Sequence, residues 1–156
     1  MDTFTVSFFG HRQLPDPISL AGEMEAQICQ LLLTKPYTEF LVGRTGEFDL
    51  LAAAVVRRCQ RLYRRDNSAL VLVLPYAPAD VSGLEGDYDE IEVFPPVHYK
   101  AAYQLRNQAM VTRSDLCLFY VDHPQGGAYQ TLQWATAAGA CVQNLGRLPV
   151  PGKPGK

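Results

Sequence analysis

The sequence predicts a single α/β domain with a mainly parallel sheet, and three observations carry that prediction. Runs rich in β-branched and aromatic residues alternate with segments whose apolar residues recur at helical spacing, the pattern of successive βαβ units. Two runs, residues 69–74 and 116–121, are apolar without a break, which suits central parallel strands covered on both faces. Three strands stop at glycine-containing turns, where a parallel sheet gathers its C-terminal ends along one edge.

Taken in order, residues 3–9 form a β-branched and aromatic strand that stops at Gly10. Residues 15–33 place Ile18, Leu20, Met24, Ile28, Leu31 and Leu32 near helical period, and Pro36 ends the helix. A short strand over 39–42 stops at Gly43, and an alanine- and leucine-rich helix follows over 46–65. The apolar run 69–74 is ended by Pro75. Residues 76–97 carry Pro78, Gly83, Gly86, Pro95, Pro96 and six acidic residues, which reads as a long variable loop with one extended piece near 91–94. A helix over 98–113, a buried strand over 116–121, a helix over 127–139 and a short strand over 141–144 complete the pattern. The domain is expected to span 1–146, followed by a flexible tail over 147–156.

Composition bounds the function. The 156 residues suit one domain, and 47% hydrophobic against 19% charged residues supports a sizeable core. The net charge of −2 argues against nucleic acid as a partner. Cys29, Cys59, Cys117 and Cys141 are far apart with no CxxC and no cysteine–histidine cluster, so neither a metal site nor a disulfide framework is expected. No apolar run approaches the roughly 20 residues of a membrane-spanning helix. The chain opens on a strand without a charged leader, so no membrane and a cytoplasmic location are expected.

The chemistry is expected at the three turns: Gly10-His11-Arg12, then Gly43-Arg44-Thr45-Gly46-Glu47-Phe48-Asp49, then Asp122-His123-Pro124-Gln125-Gly126-Gly127-Ala128. Glycine admits a ligand close to the backbone, and free amides at a helix N-terminus favour an anion. Each residue also has a plainer reading. The glycines make tight turns, His11 is a satisfied structural histidine, and Arg12 is a surface cation. Asp49 is either a first-turn residue favoured by the helix dipole or an acceptor for ribose hydroxyls. Arg106 either forks onto phosphate or pairs with the acidic loop. Ser114-Asp115 reads as a strand cap. Arg57, Arg58, Arg61, Arg64 and Arg65 form a stripe best read as a solvated face, with nucleic-acid contact the minority reading.

Phe9-Gly10-His11-Arg12, the turn from Val42 to Asp49, Arg106-Asn107-Gln108-Ala109-Met110, Ser114-Asp115 and Gly126-Gly127-Ala128 resemble, in order and spacing, the SLOG superfamily. The likeness is to its small stand-alone YpsA- and YspA-like members. The superfamily also includes the LOG phosphoribohydrolases and DNA-processing protein A. The resemblance implies a Rossmann-like three-layer sandwich and a nucleotide-type ligand held by Gly10, His11, Arg12, Gly43, Arg44, Gly46, Asp49, Arg106, Asn107, Gly126, Gly127 and Ala128. No cofactor motif stands out, and a nucleotide or ADP-ribose-like molecule is the bound group to expect. The LOG glutamate is replaced by Gln133, which cannot ionise or act as a general base. Binding or sensing of a nucleoside phosphate, ADP-ribose or NAD-related ligand is therefore the expected function. The alternative is an N-glycosidase, phosphoribohydrolase or NAD-derivative hydrolase with Glu47 or Asp49 as the catalytic carboxylate. A homo-oligomer is expected through the apolar helices, as in LOG-like relatives.

Overall fold

The computed structural model describes residues 2–76, 83–94 and 101–148. Its elements are β1 (Thr3–Gly10), α1 (Pro17–Thr34), β2 (Tyr37–Val42), α2 (Glu47–Leu62), β3 (Ser68–Leu74), β4 (Glu90–Val93), α3 (Ala102–Arg113), β5 (Leu116–Tyr120), α4 (Gly127–Ala137) and β6 (Val142–Asn144). The six strands form one sheet in the order β4-β3-β2-β1-β5-β6, and every pair is parallel. The predicted α/β class, Rossmann-like and sandwiched, is the observed one.

Strand periodicity divides the core in two. Val6, Phe8, Phe40, Val42, Leu70 and Leu118 point to one face and pack under α1 and α2, where Leu20, Met24, Ile28, Leu32, Phe48, Ala52 and Val56 are buried. Phe9, Leu41, Val71, Val73, Phe119 and Val121 point to the other and pack under α3 and α4 through Met110, Val111 and Ala135. The alternation of neighbours such as Phe8 and Phe9 is the period-two geometry of a strand covered on both sides. Helix α1 starts on a local signal: Asp16 caps it by accepting from the Ser19 amide, with Pro17 in the first turn.

The order of strands fixes where a ligand can enter. From β1 the chain builds outward through β2 and β3 to β4, then returns to place β5 on the other side of β1. Right-handed crossovers then put α1 and α2 on one face and α3 and α4 on the other. The reversal between β1 and β5 opens a crevice at the strands' C-terminal ends.

Three expectations shift. The extended piece within 76–97 is a sheet strand, β4, in register with β3 from Val71 opposite Glu90 to Leu74 opposite Val93. Asp89 docks it by accepting from the Leu70 amide at 2.7 Å and from Gln60, and Arg113 bridges Glu92 and Glu39. The second strand begins earlier, at Tyr37, and the second helix ends earlier, at Leu62. Residues 77–82 and 95–97 of the expected loop, the start of the helix expected from residue 98, and all but 147–148 of the expected tail lie outside the described residues. Ser114-Asp115 is the strand cap expected of it. The Asp115 carboxylate accepts from the Thr5 amide at 2.8 Å, and the Ser114 hydroxyl donates to the Met110 carbonyl. No described helix is long and apolar enough to cross a membrane.

Candidate functional site

At the β1/β5 crevice lies a cleft of about 590 Å³, lined by Phe9, Gly10, His11, Arg12, Gln13, Thr45, Asp49, Tyr103, Gln104, Arg106, Asn107, His123, Gln125, Gly126, Gly127 and Ala128. The turns after β1 and β5, the start of α2, one side of α3 and the start of α4 thus converge. A smaller cavity of about 250 Å³ adjoins it, walled by Arg44, Leu74, Pro75 and Tyr76 and sharing Thr45, Tyr103 and Arg106.

The floor is a buried polar network. Arg106 is 5% exposed. Its Nε and Nη2 both donate to Asn107 Oδ1, at 3.1 and 2.7 Å, and its Nη1 donates to the Val73 carbonyl at 3.0 Å. Three of the five guanidinium N–H groups are thereby used, leaving one on each terminal nitrogen. Arg106 therefore pairs with no acidic residue of the described part of the loop. Asn107 extends the network by donating to Thr131 Oγ1, which donates to the Gly127 carbonyl and so ties α3 to the first turn of α4. Gln104 makes a parallel link to Gln130 and Gly127.

Asp49 stands near Arg106 in the first turn of α2, 8% exposed. One carboxylate oxygen accepts from the Thr45 amide and hydroxyl at 3.1 and 3.3 Å. Burial pushes this carboxyl above its ordinary value, outweighing the Thr45 amide and the Arg106 charge, which pull it down. Burial lowers Arg106 in turn, with Asp49 and Tyr103 opposing. A guanidinium stays cationic through such a shift.

Gly43 is what lets the two approach. A Cβ there would lie 2.9 Å from Arg106 Nη1 and 3.0 Å from Asp49 Oδ2. A Cβ at Gly46 would lie 2.6 Å from Arg12 Cα, and one at Gly10 would run into the Phe48 ring. These three glycines serve close packing. Gly126 differs: its φ is 93°, a region that favours glycine, and nothing lies within 4 Å of an added Cβ. It is the N-cap of α4 and supplies no side-chain cap, so the first-turn amides stand open at the cleft.

His11 is 7% exposed, and its Nε2 accepts the Asp122 amide at 3.1 Å. The structural reading of His11 is met, although the ring also lines the cleft. Burial and the neighbouring His123 hold it below the usual histidine range, against Asp122. The His123 ring stacks on it, with centroids 3.7 Å apart and planes 13° apart. His11, Asp122 and His123 bring their ligand atoms within 4.8 Å of one another, a grouping the absence of a cysteine–histidine cluster did not foretell.

Of the expected residues, Gly10, His11, Arg12, Asp49, Arg106, Asn107, Gly126, Gly127 and Ala128 line the main cleft, and Arg44 lines the adjoining one. Glu47 does not. It accepts from the Leu14 amide at 2.7 Å and holds the β1–α1 loop against α2. Gln133 is exposed and donates to the Tyr129 hydroxyl, away from the cleft. Sequence reasoning missed Tyr103 and Gln104. Tyr103 lies one helical turn before Arg106 and places its ring 5.5 Å from the guanidinium, a spacing that was open to view. The arginine stripe is largely paired: Arg58 with Glu25, Arg64 with Asp66, Arg65 with Asp89, and Arg57 with the Asp87 carbonyl.

Fold and site together define a parallel Rossmann-like domain with a cleft at its topological switch point. The same fold occurs in DNA processing protein A (DprA). The Streptococcus pneumoniae protein superposes with a TM-score of 0.65 at 15% identity, covering 90% of this chain and 50% of that one. The Helicobacter pylori protein, described by its single-stranded DNA binding mode, gives 0.62 at 11%, covering 90% and 64%. The chain thus spans about half to two thirds of these proteins' length. The fold-level likeness to SLOG proteins, to which DprA belongs, holds. No family model and no curated protein sequence matches the chain. The comparison corrects the expectation that net charge argues against nucleic acid: a protein of this fold binds single-stranded DNA. Overall charge is a poor guide where cations and helix amides concentrate at one cleft.

Proposed function

We propose that the cleft binds a nucleotide-type ligand, a nucleoside phosphate, ADP-ribose or an NAD-related molecule, by its phosphate. One observation carries the reading: the uncapped N-terminus of α4 and the buried cation of Arg106 face the same cleft. Phosphate oxygens accept from the open amides after Gly126 and from the two unused N–H groups of Arg106, and Arg12 adds charge from the rim. Asp49, on the lining of the same cleft, meets the ribose diol as an acceptor.

Thermal shift and calorimetry with AMP, ADP-ribose, NAD and cyclic nucleotides test this. Ligand at a hundredfold excess over Kd adds about 2.7 kcal/mol. At about 2–4 °C per kcal/mol for a domain of this size, melting rises by about 5–11 °C. Arg106→Ala removes the shift. If no ligand stabilises the protein and Arg106→Ala behaves as wild type, the proposal fails. Analysing the same mixtures for free base tests turnover, for which Asp49 is the one expected carboxylate that lines the cleft.

A second reading, a single-stranded nucleic acid, is favoured by the DprA fold together with two exposed arginines, Arg12 and Arg44, on the adjoining cavities. Binding of an oligonucleotide would then weaken with salt, and less steeply after Arg12→Ala with Arg44→Ala. An affinity that does not vary with salt removes this reading.

A further inference from the structure

We infer that the open face of the His123 imidazole is the platform on which the nucleobase of the ligand stacks. The inference rests on the phosphate-binding reading above and names the part of the ligand that reading leaves unplaced.

His11 and His123 follow adjacent strands at the switch point, and their rings lie nearly parallel, 3.7 Å apart. His123 is held in two ways. The stack on buried His11 sets its tilt, and its Nδ1 pairs with Asp122 Oδ1 at 2.6 Å, which sets its rotation within the ring plane. His11 is itself fixed, because its Nε2 accepts the Asp122 amide. Yet the His123 side chain remains 51% exposed. With one face covered by His11, that exposure falls on the other face and the outer edge. An aromatic ring held flat at the wall of a cleft, one face covered and the other in water, has the form of a stacking surface, and nucleobases stack on histidine as on other aromatic rings.

Its position fits. His123 and the open amides after Gly126 belong to one turn and line one cleft, so a base on the ring and a phosphate at the helix belong to the same small molecule. Gln13 and Gln125 line that cleft as well and offer amides to a base edge. The other aromatic side chain with a polar handle there, Tyr103, is engaged: it lies against the Arg106 guanidinium and, edge-on, against Tyr76. A cation held by His11, Asp122 and His123 is the competing use of these residues. It is disfavoured because near-parallel rings do not aim two in-plane lone pairs at one point, and because His11 Nε2 is already an acceptor.

The test is calorimetry of AMP and of ribose 5-phosphate, which lacks the base, against wild type, His123→Ala and His123→Phe, with melting curves to verify folding. In wild type AMP binds about tenfold more tightly than ribose 5-phosphate, the order of one base stacked on one aromatic ring. The ratio falls toward one in His123→Ala and returns in His123→Phe, which stacks but neither ligates nor titrates. A ratio unchanged by His123→Ala, or not restored by His123→Phe, overturns the inference. Loss of AMP binding in EDTA also overturns it and assigns the residues to a cation. If ribose 5-phosphate binds wild type but the ratio ignores His123, stacking alone falls. If ribose 5-phosphate does not bind at all, the phosphate reading falls and takes stacking with it.

Discussion

Gly126 offers the most direct test of whether the backbone at the start of α4 is a built feature of the cleft. Its φ of 93° and ψ of 175° lie in a region essentially reserved for glycine, where another residue costs about 1–3 kcal/mol. Because no heavy atom lies within 4 Å of an added Cβ, the cost of Gly126→Ala is torsional and not steric. At about 2–4 °C per kcal/mol, melting falls by about 2–12 °C, or the turn relaxes to negative φ and re-aims the amides behind it. Hydrogen bonds to a charged phosphate contribute about 1.5–3 kcal/mol each, so misdirecting one of them weakens binding at least about tenfold. Gly139 provides the control. Its φ is 79°, it too has open space around a Cβ, and it ends α4 away from the cleft, its amide donating to the Thr136 carbonyl. Gly139→Ala therefore carries a comparable strain without touching the ligand. Melting curves and calorimetry with ADP-ribose on both variants separate the effects: both melt lower, and only Gly126→Ala binds more weakly. Equal loss of affinity in the two would show that instability, not aim, weakens binding. Wild-type melting and affinity in Gly126→Ala would refute the reasoning outright.

Much of this arrangement was legible in the sequence, and what was not has identifiable causes. The apolar runs around Val71 and Leu118 announce strands covered on both faces, and the glycine turns mark their C-terminal ends, so the crevice edge follows from local pattern. β4 was legible only as an extended piece and not as a sheet strand, because Glu90-Ile91-Glu92-Val93 is short and half exposed and is held by distant groups, the Leu70 amide through Asp89 and Arg113 through Glu92. Glu47 and Asp49 were offered together as carboxylates. Residues two apart on a helix do not share a face, and α2 turns Asp49 into the cleft and Glu47 toward Leu14. Tyr103 is on the Arg106 side of α3, but which side of α3 meets the cleft is set by the burial of Met110 and Val111 against the sheet. The stack of His11 on His123 exists only because β1 and β5 are neighbours, a pairing that the strand order decides and no local signal states.

Two further perturbations follow from the polar groups already placed. Asp89→Ala leaves the buried Leu70 amide without its acceptor, a loss of about 1–3 kcal/mol and hence about 2–12 °C in a circular dichroism melt, and an unchanged melt would show that the edge strand is held otherwise. Asp49 governs a pH dependence whose sign follows from its burial. Burial raises the carboxyl in the folded state above its value in the unfolded chain, so between the two values the folded protein binds more protons and stability falls as pH rises. The contribution is therefore fully present below the unfolded value and is lost through the folded one. Above that, the folded protein carries a buried carboxylate offset in part by Thr45 and Arg106. Asp49→Asn keeps an oxygen to accept from Thr45 and has nothing to ionise, so its melting temperature lacks this decline. Melting curves of wild type and Asp49→Asn from about pH 4 to about pH 8 should diverge in favour of the variant as pH rises. Parallel curves, or divergence in favour of wild type, would mean that the Arg106 charge and the Thr45 hydrogen bonds outweigh burial and that Asp49 is ionised in the cleft. The candidate carboxylate for hydrolysis would then be a base and not an acid.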